Sequence, residues 1–190
     1  GFTAYSENLY LNYHFGEKAA SEYVIGTKRS IQNDIPLIGT YNKNNRGSND
    51  MYYKGANILH TLRQLIADDQ KWRAILRGLN KDFYHQTVTS HQVERYISEK
   101  SGIHLTQFWE QYLRTTMIPN LQYTIQENQL RYRYTDIIKG FDMPVQVKIN
   151  GVLNWIQPTS TWKTLENNGK IKTLDVQQDF LINSSLIKKQ

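Results

Sequence analysis

The sequence contains no cysteine. This absence excludes a disulfide framework, thiolate zinc sites, iron–sulfur clusters and a cysteine nucleophile. The sequence also lacks any run of about 18 apolar residues, so we expect no membrane span. It shows no charged segment followed by an apolar one, the pattern of a secretory signal, although such a signal could have been removed or lie upstream. Localisation therefore stays open between cytoplasmic and exported.

Charge is not concentrated in any segment of the chain. The 190 residues include 23 Lys and Arg and 17 Asp and Glu, giving a net charge of +6. The basic residues are scattered, and no run exceeds a pair such as Lys28-Arg29 or Lys188-Lys189. A nucleic-acid-binding surface is usually a basic patch or stripe, so nucleic-acid binding is only a minor alternative and we expect no nucleic-acid partner. With 39% hydrophobic residues, the chain is able to form a packed core.

Apolar residues recur at spacings of three and four up to about residue 117, which predicts helices. The first helix is expected to end at Gly16, and a capping box of Thr89 and Gln92 is expected to open a later one. Asn49 or Asp50 is the expected cap of the helix that carries Ile58 and neighbouring apolar residues. Turn-forming residues dominate positions 42–50, so this segment is predicted to be a loop.

The pattern changes to alternation from about residue 120, which predicts short strands. Asn150-Gly151 is a strong hairpin signal, and Phe180 to Ile182 is the predicted last strand. About seven strands in this part of the chain are typical of a small antiparallel β-sandwich. The predicted fold is therefore α+β, with a helical domain over 1–117 and a β-sandwich domain over 118–190.

Several catalytic motifs are absent. The sequence contains no HExxH, no GxGxxG and no P-loop pattern, so neither a helical zinc pair nor nucleotide binding is predicted. The chain has five histidines, and each one alone is better explained as structural or solvated. They are His14, His60, His85, His91 and His104.

Four short segments, each a weak signal alone, are informative because of their order and spacing along the chain. They are GFTAYSE at 1–7, YYKGA at 52–56, SGIHLTQFWEQYL at 101–113 and PNLQY at 119–123. Together they resemble the M1 family of zinc aminopeptidases, the gluzincins, over essentially the whole chain. His104 and Tyr112 stand where this family commonly has aspartate and tryptophan, and both departures look structural.

The resemblance implies a fold and a chemistry. Residues 1–117 would be the helical rear lobe of a thermolysin-like catalytic domain, followed by the β-sandwich. In this family zinc is held by two histidines of HExxH and a later glutamate, and the zinc-bound water attacks a peptide. The resemblance implies that the chain is a C-terminal fragment beginning one residue after that glutamate. We therefore expect zinc in the full-length parent, none in this chain, and no activity from the chain alone.

Tyr52 is the one catalytic residue that the resemblance implies, as the donor of a hydrogen bond to the oxyanion of the tetrahedral intermediate. A phenol is suited to this role because its usual pKa of about 10 keeps it protonated at neutral pH. Tyr53 would take the role if the register were off by one, and packing at a helix start is the structural alternative for Tyr52. Lys54 is expected to pair with a carboxylate or lie on the surface, and a structural role is favoured for it. Phe2 is expected in the core.

The partners implied are peptide substrates and the missing N-terminal part of the same protein. Without that part, an apolar face of the helical domain should be exposed and would allow a dimer. The loop at 40–50 is predicted either to line the substrate channel or to be simply solvated. A catalytically inactive M1-like scaffold that binds peptides or proteins is the alternative function. The related epoxide-hydrolase activity of the family also stays open.

Overall fold

The computed structural model describes residues 1–187, so the basic pair Lys188-Lys189 lies outside the described residues. A short 3₁₀ turn covers Lys28–Ser30. The α-helices are α1 (Phe2–Phe15), α2 (Glu17–Thr27), α3 (Asp50–Ile66), α4 (Asp69–Asp82), α5 (Ser90–Ser101) and α6 (Thr106–Arg114). The strands are β1 (Asn120–Gln126), β2 (Gln129–Thr135), β3 (Val145–Ile149), β4 (Val152–Ile156), β5 (Lys163–Glu166), β6 (Leu174–Val176) and β7 (Asn183–Leu186). The α+β class is confirmed, and the division into two domains stays a prediction.

Local signals set several element ends as predicted. Thr89 and Gln92 form the expected capping box, with each side chain accepting a hydrogen bond from the backbone amide of the other. Gly16 follows α1 with a φ of 87°, in the region that favours glycine. Asn150 and Gly151 both have positive φ values and join β3 to β4, as a tight hairpin turn requires.

The strands form two sheets, one of four strands in the order β5-β2-β1-β7 and one of three in the order β4-β3-β6. All pairings are antiparallel except that of β1 with β7, which is parallel. The expectation of an antiparallel arrangement is therefore wrong for β7. The strand predicted at Phe180 to Ile182 is also wrong, because β7 begins at Asn183. The apolar character of Phe180 and Leu181 instead reflects their place in the core between the two parts of the chain, where both are buried.

The helical part and the sheets share one buried core, which hydrogen bonds from the 180s reinforce. The Tyr112 hydroxyl donates to the Leu181 carbonyl at 2.7 Å, and the Leu181 amide donates to Oγ1 of Thr61 at 2.9 Å. Gln111 is 0% exposed. Its amide nitrogen donates to the carbonyls of Met117 and Asp136, and its oxygen accepts from the Ile138 amide. These contacts fix α3 and α6 against the segments that lead into and out of the sheets.

A polar cluster joins α2 and α3 to the turn before β7. The carboxylate of Asp179 accepts from the Ser21 hydroxyl and lies 2.8 Å from Nε2 of His60. Lys28 donates to the carbonyls of Gln178 and Phe180. Burial lowers the pKa of the Lys28 ammonium to about 8, although Asp179 acts in the opposite direction. Among residues 1–187, no helix has both the length and the apolar character needed to cross a membrane.

We predict that Gln111→Leu lowers the free energy of unfolding by about 2–4 kcal/mol. The variant removes three hydrogen bonds to partly buried backbone groups, and each such bond contributes about 0.5–1.5 kcal/mol. Urea denaturation measures the change. The control is Gln126→Leu at an exposed position of β1, which should change stability by less than about 0.5 kcal/mol. A loss below about 1 kcal/mol for Gln111→Leu would contradict the bridging role.

Lys28→Met should change how stability depends on pH. The folded-state pKa of about 8 lies below the ordinary value of 10.5. Between these values the unfolded chain holds a proton that the folded chain has lost, so the free energy of unfolding rises with pH. Lys28→Met should remove that rise, on the order of 2–4 kcal/mol. Denaturation from pH 7.5 to 10.5 tests this, with Lys18→Met, an exposed position in the preceding helix α2, as the control that keeps the wild-type profile.

Candidate functional site at the start of helix α3

Tyr52 lies in the first turn of α3, and 45% of its surface is exposed. Tyr53 beside it is 38% exposed. Within residues 1–187, no hydrogen-bond partner occupies the hydroxyl of Tyr52. The phenol of Tyr52 is therefore a hydrogen-bond donor at the surface of the protein, while the opposite face of α3 is buried. The exposure leaves either tyrosine able to contact a ligand, and the catalytic role of Tyr52 stays a prediction.

The start of α3 is held by side chains that turn inward. Asp50 is buried, and its carboxylate accepts hydrogen bonds from the backbone amides of Gln32 at 2.8 Å and Asn33 at 2.6 Å. The Asp50 amide donates to the Ser48 hydroxyl at 3.0 Å, and that hydroxyl donates to Asp34. Two parts of the irregular segment 31–49 are thus tied to one helical turn. The segment at 40–50 is exposed except at Ser48 and Asp50, which are buried.

The cap predicted for α3 is corrected by these contacts. Asn49 is the N-cap residue, but its side chain makes no capping hydrogen bond. Asp50 faces the loop before the helix, and Ser48 supplies the oxygen that accepts from an amide of the first turn. The Asp50 carboxylate, which the local pattern assigned to capping, accepts instead from the backbone amides of residues 32 and 33. These two amides would otherwise lack acceptors.

Lys54 is 0% exposed, which corrects the expectation of a surface position. Its Nζ lies 3.2 Å from the carbonyl oxygen of Thr115, just beyond α6. Burial lowers the pKa of the Lys54 ammonium, while the carboxylates of Asp50 and Asp34 act to raise it. No carboxylate in the described chain is close enough to Nζ to form an ion pair, so the expected direct pairing is also wrong. The ammonium is stabilised instead by a carbonyl at a helix C-terminus, where the helix dipole favours a cation.

Gly55 lets the backbone of α3 approach the chain at Gly1. A Cβ on Gly55 would lie 2.7 Å from the Cα of Gly1. Beside this crossing, a mainly apolar cavity of about 300 Å³ is lined by residues that include Phe2, Met51, Val93 and Trp109. Phe2 is 47% exposed, so its predicted place in the core is wrong. The cavity is thus lined by Met51 and Gly55 of α3, the helix that carries Tyr52 in its first turn.

The described residues do not provide a metal site. Across residues 1–187, no three His, Cys, Asp or Glu side chains come together in a way that could hold a metal ion. Four of the five histidines are exposed, and the buried one, His60, is committed to Asp179. These residues do not fit a resident zinc ion. Asp50 and Lys54 were not identified from the sequence as buried supports of this helix start. Their spacing of four residues places both on one face of α3, which is the sequence signal that could have indicated it.

Gly55→Ala should lower the free energy of unfolding by about 1–3 kcal/mol, because the added methyl group overlaps a backbone atom that cannot rotate away. Thermal or urea denaturation measures the loss. The matched control is Gly26→Ala in α2, where no atom lies within 4 Å of the added Cβ. This control should be neutral or stabilise by up to about 1 kcal/mol, as alanine does in helices. Equal effects of the two substitutions would show that the crossing is not tight.

The comparisons with known proteins give one kind of match. No family model matches the chain, and no curated protein sequence is significantly similar to it. Among solved structures, the chain is similar to Legionella pneumophila aminopeptidase A, crystallised in complex with aspartic acid. The similarity covers 100% of this chain and 24% of that chain, with a TM-score of 0.68 and 15% sequence identity. The chain thus has an aminopeptidase-like fold and spans about a quarter of the length of this structural neighbour.

Proposed function

We propose that this chain is part of a zinc-dependent aminopeptidase of the M1 type, which removes N-terminal residues from peptides by means of a zinc-activated water. The observation that carries the proposal is the match of fold over the full chain to an aminopeptidase. The YYKGA segment supports it, because the segment opens a buried helix and leaves Tyr52 exposed. The helical lobe, the β-sandwich and the fragment status implied by the resemblance belong to the same proposal.

Tyr52 is the catalytic residue in this proposal. Its hydroxyl donates a hydrogen bond to the oxyanion that forms when the peptide carbonyl becomes tetrahedral. A donor held in place before the reaction stabilises the transition state by about 2.7–4 kcal/mol in comparable sites. Zinc, when bound by the remainder of the enzyme, supplies an activated water. The residues described here contribute the donor and its support.

The remainder of the enzyme is also the proposed partner of the exposed aromatic side chains of the helical part. Besides Tyr52 and Tyr53, six aromatic side chains within residues 1–117 are exposed: Phe2, Tyr10, Tyr13, Phe15, Tyr41 and Tyr84. Large exposed aromatic groups mark surfaces that bind other protein. The structural neighbour is about four times as long as the matched region, which supports further chain as the group that covers these side chains. In the chain taken alone, the same side chains would favour a dimer.

The test of Tyr52 is the substitution Tyr52→Phe in the natural full-length protein. We expect kcat for aminoacyl anilides to fall by about 10²–10³, as on removal of one oxyanion donor, with KM and zinc content little changed. Tyr53→Phe is the matched control, because it removes a hydroxyl from the adjacent exposed tyrosine and should keep wild-type kcat. Metal analysis accompanies each kinetic measurement.

Other outcomes have distinct meanings. Loss of activity in Tyr53→Phe instead of Tyr52→Phe would shift the register by one residue. Wild-type rates in both variants would show that neither Tyr52 nor Tyr53 donates to the oxyanion. A full-length protein with neither zinc nor hydrolysis of any anilide would support the inactive scaffold.

A further inference from the structure

Lys54 is buried in α3, two residues after the candidate catalytic residue. Its side chain is fully buried, and its Nζ makes a hydrogen bond of 3.2 Å to the Thr115 carbonyl. Burying a charge is costly, and a buried apolar side chain of similar volume often gives equal or greater stability. A buried ammonium therefore contributes little net stability here. It does restrict the position of α3 relative to α6, because its Nζ needs an acceptor such as the Thr115 carbonyl at a fixed distance.

The groups that favour the charged form of Lys54 come from three separate segments. Thr115 follows α6, Asp50 opens α3, and Asp34 lies in the irregular segment between α2 and α3. Thr115 accepts the hydrogen bond, whereas the carboxylates of Asp50 and Asp34 form no ion pair with Nζ and act only to raise the pKa of the ammonium. Asp50 is itself fixed by two backbone amides, at 2.8 and 2.6 Å. The first turn of α3 is thus joined to the irregular segment before it through Asp50 and to the end of α6 through Lys54.

Tyr52 shares this turn with Lys54. Two residues along a helix differ by about 200° in direction, so one side chain faces outward when the other faces inward. The observed exposures agree, since Tyr52 is exposed and Lys54 is buried. Any rotation of the turn that releases Lys54 from Thr115 therefore also moves the Tyr52 hydroxyl.

We propose that Lys54 is a positioning residue for Tyr52, and that its hydrogen bond to the Thr115 carbonyl fixes the direction in which α3 presents the phenol. The inference rests on the proposed function of Tyr52. Lys54 does not touch the substrate in this account. Its effect on the reaction passes through Tyr52 and vanishes when the hydroxyl of Tyr52 is removed.

The experiment compares Lys54→Met with Lys28→Met in the full-length protein. Both lysines donate to backbone carbonyls, but Lys28 belongs to the 3₁₀ turn after α2 and donates to the turn before β7, whereas Lys54 donates to the end of α6. We expect Lys54→Met to lower kcat at least tenfold and to change KM less than twofold, because the oxyanion contact exists only in the transition state. Lys28→Met should keep wild-type kcat. In a Tyr52→Phe background, Lys54→Met should have no further effect on kcat.

A second measurement separates this inference from the proposed function. The tyrosines are replaced by 3-fluorotyrosine, and the Tyr52 resonance is assigned by its loss in Tyr52→Phe. Lys54→Met should shift or broaden that resonance, and Lys28→Met should leave it unchanged. If Lys54→Met fails to fold, Lys54→Leu takes its place, because it also removes the ammonium and its hydrogen bond to the Thr115 carbonyl.

An unchanged Tyr52 resonance in the Lys54 variant overturns the positioning role, whatever the kinetics. An equal loss of kcat in the Tyr52→Phe background overturns it as well, because the effect would then not pass through Tyr52. If Tyr52→Phe keeps wild-type activity, the proposed function fails, and the fluorine resonance alone decides whether Lys54 orients the side chain.

Discussion

The two amide hydrogen bonds accepted by Asp50 are the interaction on which the candidate site depends. The segment 31–49 has little regular structure, and its backbone groups need partners wherever they are buried. The Asp50 carboxylate provides two acceptors at one point and holds the segment to the start of α3. Lys54, one turn further along, joins the same start to the end of α6. The position of the exposed tyrosines follows from these two buried groups.

Much of the fold is encoded in short-range patterns, which is why the sequence predicted it well. The capping box at Thr89 and Gln92 involves neighbours three residues apart, and the turn at Asn150-Gly151 needs only the φ values of two residues. Such signals are read without knowledge of the tertiary structure. The helices before residue 117 and the strands after residue 120 were predicted for the same reason.

The errors arise where a distant contact decides the outcome. Phe180 has the apolar character of a strand residue, yet it is buried at the junction with the helical part, and β7 begins later. The parallel pairing of β7 with β1 has no local signal, because it joins residues about sixty apart in the chain. Lys54 was expected to be paired or exposed because lysine is rarely buried. The candidate site is predicted from the YYKGA segment, whereas the contacts of Asp50 and Lys54 that support it are visible only in the structure.

The junction at Leu181 has a consequence for biosynthesis. Its amide bonds a residue 120 positions earlier, and its carbonyl bonds one 69 positions earlier. A ribosome releases α3 and α6 well before it releases this segment, so the nascent helical part emerges with Thr61, His60 and Tyr112 lacking their final partners. Closing such long loops is slow and entropically costly. Completion of the helical part must therefore wait until translation has passed the segment before β7.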